Sequence, residues 1–363
     1  MPKRVSVDKW LFGVTLLLVF IGLIMVFSAS AVIAKDRFGS PYSFLLRQLM
    51  WALAGLVAMV LMMSFDYRRL KSSSVVFTAL GVTALLLLAV FFLDRHANTH
   101  RWIRLGGFSL QPSELAKPAI ILFLAYFLEK RYKNIADWRR TLLPVIVPTF
   151  IFTLLIVAEP DLGTAMAICV ITAAVLLTAG MKLRYFGYAA LASTLPLYIL
   201  IFRTAWRARR ITAFLHPDRD PLGAGFHITQ SLIAVGTGGI FGQGLMEGKQ
   251  KLFYLPEPQT DFIFAVIAEE WGLIGSVAIV LLFAIFCYRG LRTAMLTRDY
   301  FARFLAVGIT AMVGVQALFN ISVVLGLLPT KGIPLPFISY GGSSLFITLT
   351  SVGVLLNITQ QTD

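Results

Sequence analysis

The sequence is short of charge. Asp, Glu, Lys and Arg make up only 14% of its 363 residues, where soluble domains carry roughly 25%. So few charges cannot cover a globular surface, and 58% of the residues are hydrophobic. An ordinary cytosolic enzyme and a disordered chain are both excluded. Cysteine is nearly absent. Cys169 and Cys287 lie in apolar runs and read as small packed hydrophobes, with no disulfide framework and no thiolate cluster. The four histidines, His96, His100, His216 and His227, are scattered, so no HExxH or Cys/His zinc site is offered. "GQGLMEGKQ" has the look of a Walker A loop, but its spacing is wrong and Gln250 stands where Ser or Thr is needed. Internal repeats and low-complexity tracts are missing too.

What is abundant is long apolar sequence. Ten stretches of spanning length, roughly 17–25 residues, lie near 10–34, 45–65, 75–93, 112–128, 142–158, 163–180, 186–202, 262–286, 303–324 and 343–359. The first is too long for a signal-peptide core of ~7–15 residues and reads as a retained helix. The expected fold class is all-α: a polytopic membrane protein of about ten transmembrane helices in one domain over residues 1–363. Residues 1–9 form a tail, and 203–261 form a long extracytoplasmic loop between helices seven and eight.

Basic residues outnumber acidic ones, 32 to 18, for a net charge of +14. In this composition the excess points to membrane rather than nucleic acid. With the N-terminus inside, the short inner segments hold 17 of the 32 Lys and Arg residues. The positive-inside rule then places both termini in the cytoplasm. The outer loop is too long for a plain connector. Its "SLIAVGTGGIFGQG" stretch is apolar and Gly-rich, suited to lying on the membrane surface or re-entering it.

Ionisable residues at membrane depth are expensive and usually functional. They collect at the outer helix ends. Glu114 and Lys117 share a helix face at i, i+3, as a structural pair or as part of a cavity wall. Asp161 follows Glu159 and Pro160, as a turn cap or a ligand for a cation or hydroxyl. The densest run is "KQKLFYLPEPQTDFIFAVIAEEWGLIG". Lys249 and Lys251 precede Thr260 and Asp261, which open the eighth span. Asp261 is either a macrodipole cap or a general base beside cations. Glu269 and Glu270 lie deeper, about 12 Å below at 1.5 Å per residue, as a proton path, a metal site or partners for another element. Arg210 belongs to "RTAWRARR", and Lys331 to the Pro- and Gly-rich "LLPTKGIPLPFISYGGSSL". Alone, these residues fit a surface enzyme or a transporter.

Four motifs go further. "RWIRLGGFSLQPSELAKPA", "EPDLGTA", "GQGLMEGKQKLFYLPEPQTDFIFAVIAEEWG" and "LPTKGIPLPFISYGGSSL" closely resemble the SEDS family (shape, elongation, division, sporulation). The resemblance covers nearly the whole chain and is nearer the division branch than the elongation branch. It implies a peptidoglycan glycosyltransferase that polymerises lipid II at the outer face of the inner membrane. It places the catalytic aspartate on Asp261, the polar pair on Glu114 and Lys117, and the "PDLG" aspartate on Asp161. It also implies a class B penicillin-binding protein transpeptidase and other divisome membrane proteins as partners. The family stretch often reads Pro-Glu-x-His-Thr-Asp-Phe, and here Gln259 replaces that His, which shifts the assignment further onto Asp261.

The implied chemistry suits the residues. The donor sugar is α-linked to a diphosphate and the new bond is β-1,4, so one inverting displacement needs one base on the acceptor hydroxyl. Diphosphate leaves without protonation but needs positive charge beside it. Arg101, Arg210, Lys249, Lys251 and Lys331 are the candidate cations, with Thr260 next to the base. No tightly bound cofactor is expected; a divalent cation, magnesium or manganese, could share the charge neutralisation. An elongation polymerase, a lipid II flippase and a non-catalytic divisome scaffold are the alternatives. Polar residues gathered at the outer mouth, without inverted repeats, favour surface chemistry over transport.

Overall fold

The computed structural model describes residues 6–94, 101–105, 108–135, 137–219, 223, 225–252 and 254–361. His96 and His100 fall outside these residues. Twelve α-helices account for most of the chain: α1 (Lys9–Phe38), α2 (Ser43–Ser64), α3 (Ser73–Leu93), α4 (Pro112–Arg131), α5 (Leu143–Ala158), α6 (Leu162–Thr178), α7 (Leu183–Phe202), α8 (Ala205–Leu215), α9 (Phe226–Gly238), α10 (Ile263–Leu296), α11 (Tyr300–Val324) and α12 (Gly342–Thr359). The ten expected spans correspond to α1–α7 and α10–α12. Eight helices are long and apolar enough to cross a membrane by themselves. The other two have visible reasons to fall short. Glu114, Lys117 and Glu129 interrupt α4, and α6 has only 17 residues.

Two features go beyond the sequence expectation. A small antiparallel ribbon, β1 (Ile103–Leu105) and β2 (Phe108–Leu110), pairs Ile103 with Leu110 and leads into α4. And α10 runs well past residue 286. Its extension is tied to the chain start, where Asp8 caps α1 by accepting from Trp10 N and Leu11 N at 3.0 Å. The other Asp8 oxygen takes Arg289 Nε at 2.7 Å.

The bundle centres on α11, which packs on α4, α6 and α10, while α12 lies along α2. α7 is the opposite case. None of its residues is buried, and its main neighbour is α8.

The long loop re-enters the fold. α9 packs on α10, and the segment after it docks where α10 breaks at Gly272, whose φ of 66° suits glycine. A broken helix leaves backbone groups without partners, which a membrane interior does not tolerate. Here the loop supplies them. Gln243 N donates to Glu269 O at 2.9 Å and Gly244 N to Glu270 O at 3.1 Å. In return, Leu273 N donates to Gly239 O at 2.9 Å and Ile274 N to Ile240 O at 3.2 Å.

Candidate active site

Asp261 sits immediately before α10, at the end of a segment pinned carbonyl by carbonyl. Gln259 O accepts from Tyr340 N at 2.8 Å. Thr260 O accepts from Ser339 Oγ at 2.6 Å. Asp261 O accepts from Asn320 Nδ2 at 2.8 Å, and the same amide nitrogen donates to Ile333 O at 2.8 Å. Gln48 on α2 grips the far side, donating to Ser339 O at 3.1 Å and accepting from Gly341 N at 3.2 Å. The Pro- and Gly-rich loop before α12 is thus the backing plate of the Asp261 segment.

Holding the backbone leaves the side chain open. Among the described residues the Asp261 carboxylate accepts no hydrogen bond. Gly332 lies against it, and a β-carbon there would come within 2.9 Å of Oδ2, so a larger residue would push the carboxylate from this position. The carboxylate opens into a cavity of about 330 Å³ lined also by Glu257, Arg209, Arg210, His227 and Lys331. Burial, helped by Glu257 and Asp161, raises its pKa to about 7, against the pull of Arg101 and Arg210. Burial lowers the pKa of Lys331, with Asp161 opposing. Arg210 Nη1 reaches Thr330 O at 3.5 Å, and Trp206 lies under the Arg210 guanidinium, 5.1 Å from its ring centroid.

The turn between α5 and α6 borders this mouth. Asp161 caps α6, accepting from Thr164 N at 3.1 Å and Thr164 Oγ1 at 2.8 Å, with Gln111 Nε2 at 3.4 Å. Arg101 Nε donates to Glu159 O at 3.1 Å, and its Nη2 donates to Pro160 O. Glu159 itself is fully buried, and among the described residues neither carboxylate oxygen has a hydrogen-bond partner. Burial, reinforced by Asp161, raises its pKa to about 8, Arg101 opposing. It is a neutral acid at pH 7.

The remaining candidates divide. Thr260 joins the mouth through its backbone, and its hydroxyl donates to Glu257 O at 3.3 Å. Glu114 and Lys117 pair at 2.8 Å, both buried inside the bundle, and neither lines the cavity. Lys249 and Lys251 are not at the mouth, contrary to their place in sequence. Glu269 accepts from Lys249 N at 2.8 Å and Gln250 N at 3.2 Å. Lys251 is buried with Nζ 2.6 Å from Glu270 Oε1 and 3.0 Å from Ser28 Oγ, leaving no free charge for a ligand. The two helix carboxylates draw this stretch down to the α10 break, and the chain climbs back before Pro256. Glu269 and Glu270 are therefore partners for a neighbouring segment.

Arg209 reaches the cavity beside Arg210 of the same basic cluster, while His227 carried no sequence signal and reaches it because α9 folds over it. Asn320 shares α11 with a second amide, Gln316, and nothing in the sequence tied it to Asp261 or Ile333.

Comparison with known proteins follows the same geometry. Residues 8–363 match the cell cycle protein family that takes in FtsW, RodA and SpoVE. The chain is 45% identical to stage V sporulation protein E of Bacillus subtilis over 359 residues, covering 99% of this chain and 98% of that one. It is 46% identical over 355 residues to a probable peptidoglycan glycosyltransferase FtsW of a Geobacter species, covering 97% and 96%. Among solved structures it superposes on a chain of a peptidoglycan synthase complex with TM-score 0.79 and 30% identity over 98% of both chains. Thermus thermophilus RodA gives TM-score 0.73 and 27% identity over 100% of both.

Proposed function

Because the chain belongs to the cell cycle protein family of FtsW, RodA and SpoVE, we propose that this multi-pass membrane protein is a peptidoglycan glycosyltransferase that polymerises lipid II, with Asp261 as its base. One observation carries the reading: a carboxylate held by its backbone, without a hydrogen-bond partner among the described residues, at the mouth of a cavity that Arg209, Arg210 and Lys331 also line. The acceptor sugar's 4-hydroxyl gives its proton to Asp261 as its oxygen attacks the donor's anomeric carbon. The bond to the diphosphate breaks on the opposite face, and the leaving group departs with the electron pair. Arg209, Arg210 and Lys331 meet the charge that develops there. Attack and departure on opposite faces turn an α-linked donor into a β-1,4 glycan.

Magnesium needs one or two carboxylates and otherwise takes substrate phosphate and water. Asp261 and Glu257 offer that many, although among the described residues no three Asp, Glu, His or Cys side chains converge. A divalent cation there would add charge neutralisation at the diphosphate. The cationic side chains give the same service without it.

The lipid tail finds its place beside α7, whose unburied length runs toward α8 and its Trp206, Arg209 and Arg210. The cavity faces the outside of the inner membrane, with both chain ends in the cytoplasm. A solved relative comes from a complex that coordinates polymerization with crosslinking, which supports a class B penicillin-binding protein as partner, alongside other divisome proteins. Purified protein supplied with lipid II tests the activity: glycan chains should form, and Asp261→Ala should abolish them. Lipid II transport without polymerisation would favour the flippase instead.

A further inference from the structure

The far end of α10 from Asp261 borders a second cavity, of about 350 Å³, where the start of α1 meets the ends of α10 and α12. It lies roughly 40 Å along α10 from Asp261 at 1.5 Å per residue, and the glycosyltransferase reading does not use it. Its wall carries three cations, Lys9, Arg289 and Arg292, against one carboxylate, Asp8.

That carboxylate is already spent. One oxygen caps α1 through Trp10 N and Leu11 N. The other takes Arg289 Nε at 2.7 Å and Nη2 at 2.5 Å, which leaves the guanidinium further N–H groups to give. Lys9 and Arg292 have no hydrogen-bond or ion-pair partner among the described residues. Other basic side chains at this end are engaged: Lys71 with Glu129, Lys130 with Tyr126 and Arg140 with Asp137. Since Asp8 fills the first-turn N–H groups of α1, the attraction comes from side chains and not from a bare helix end.

We propose that this cavity binds the phosphate of an anionic glycerophospholipid. With both chain ends in the cytoplasm, as proposed above, the lipid belongs to the inner leaflet. The surroundings favour a lipid over a soluble anion. The cavity stands where the apolar run of α1 begins, at the level of the headgroups. Trp10 lines it and is 66% exposed, and indole rings settle at that level. On the opposite rim Leu296 is 52% exposed, with Met295 beside it. A phosphate among the three cations therefore has apolar surface on both sides for the start of its acyl chains. Basic pockets between spans on the cytoplasmic side suit such headgroups. The bound lipid joins α1 to α10 and stabilises the folded state, because the unfolded chain has no such cavity.

The test titrates the purified full-length protein in neutral detergent with short-chain phosphatidylglycerol, phosphatidylcholine or glycerol phosphate, read by thermal unfolding and native mass spectrometry. Phosphatidylglycerol should raise the melting temperature and stay bound, while the other two should do neither. Lys9→Gln with Arg292→Gln should melt like wild type without lipid, because neither side chain has a protein partner to strand. That double variant should bind phosphatidylglycerol about 10–30-fold more weakly. Lys182→Gln with Arg184→Gln, a basic pair at the start of α7 and outside the cavity, should bind it like wild type. Equal effects of phosphatidylcholine and phosphatidylglycerol would overturn the proposal. So would undiminished binding by the cavity variant, or equal loss in the α7 pair. An equal shift with glycerol phosphate would make the occupant a soluble phosphate and overturn the lipid assignment. None of these outcomes bears on glycan synthesis, so the polymerase reading stands or falls separately.

Discussion

Asn320 holds Asp261 by its backbone, not by its carboxylate: one amide nitrogen donates to the carbonyls of Asp261 and Ile333, 2.8 Å from each. It thereby joins the segment before α10 to the loop before α12, and fixes where the carboxylate points while leaving it free to react. Asn320→Asp keeps the shape and removes the donor. Polymerisation should drop roughly 10²-fold, the cost of a misplaced reacting group, with lipid II binding retained. Wild-type turnover in this variant would show that the bridge positions nothing.

Cations in and out of the cavity should behave differently. Arg210→Met and Lys331→Met should lower kcat/KM by about 10–100-fold with little change in melting temperature. Lys251→Met should do the reverse, because it strands the buried Glu270 carboxylate at a cost of roughly 3–5 kcal/mol. Adding Glu270→Gln should restore most of that stability, since glutamine can still accept from Met246 N and Ser28 Oγ. Thermal unfolding beside steady-state kinetics separates the two classes.

The Glu114–Lys117 pair is buried on one turn of α4 and sits apart from the cavity wall. Lys117→Ala should destabilise the bundle by roughly 3–5 kcal/mol, and exchanging the two residues should recover most of it. Recovery of folding and of glycan synthesis together would mark the pair as structural. Recovered folding with lost synthesis would give it a part in the reaction.

Glu159 makes stability depend on pH. Its folded pKa, about 8, lies above the ordinary 4.5, so between those values the folded state holds a proton the unfolded state has lost. Stability contributed by this group is therefore present at acid pH and falls as pH rises toward 8. Glu159→Gln should leave stability at pH 5 nearly unchanged and raise it at pH 8.5 by on the order of a few kcal/mol. Melting curves at the two pH values check this, and equal effects at both would contradict it.

Asp261 imposes a separate limit on rate. A base must be ionised to work, and its pKa is about 7. The polymerisation rate should therefore rise with pH across 6–8, where an ordinary aspartate would already be ionised. A profile flat above pH 5 would contradict the buried environment described for this carboxylate.

The sequence disclosed the spans because lipid demands long apolar runs, and it offered Asp261 as a candidate because its motif is local and contiguous. It misplaced Lys249 and Lys251, since nearness in sequence says nothing of a chain that dives to Glu269 and Glu270 before returning. The break at Gly272 was equally hidden. Its groups are paired by residues some thirty positions earlier, and only the folded loop reveals the exchange. His227 lines the cavity and Asn320 bridges two segments behind it through tertiary placement, which no spacing rule encodes.

Glycan synthesis from lipid II by purified Asp261→Asn protein, beside wild type, tests the central claim most directly. Asparagine keeps the size and the backbone contacts, so the fold and lipid II binding should survive. Polymerisation should fall by roughly 10²–10⁴-fold, the usual worth of a general base, while Glu257→Gln should cost less. Near-normal glycan chains from a folded Asp261→Asn protein would contradict the assignment of Asp261 as the base.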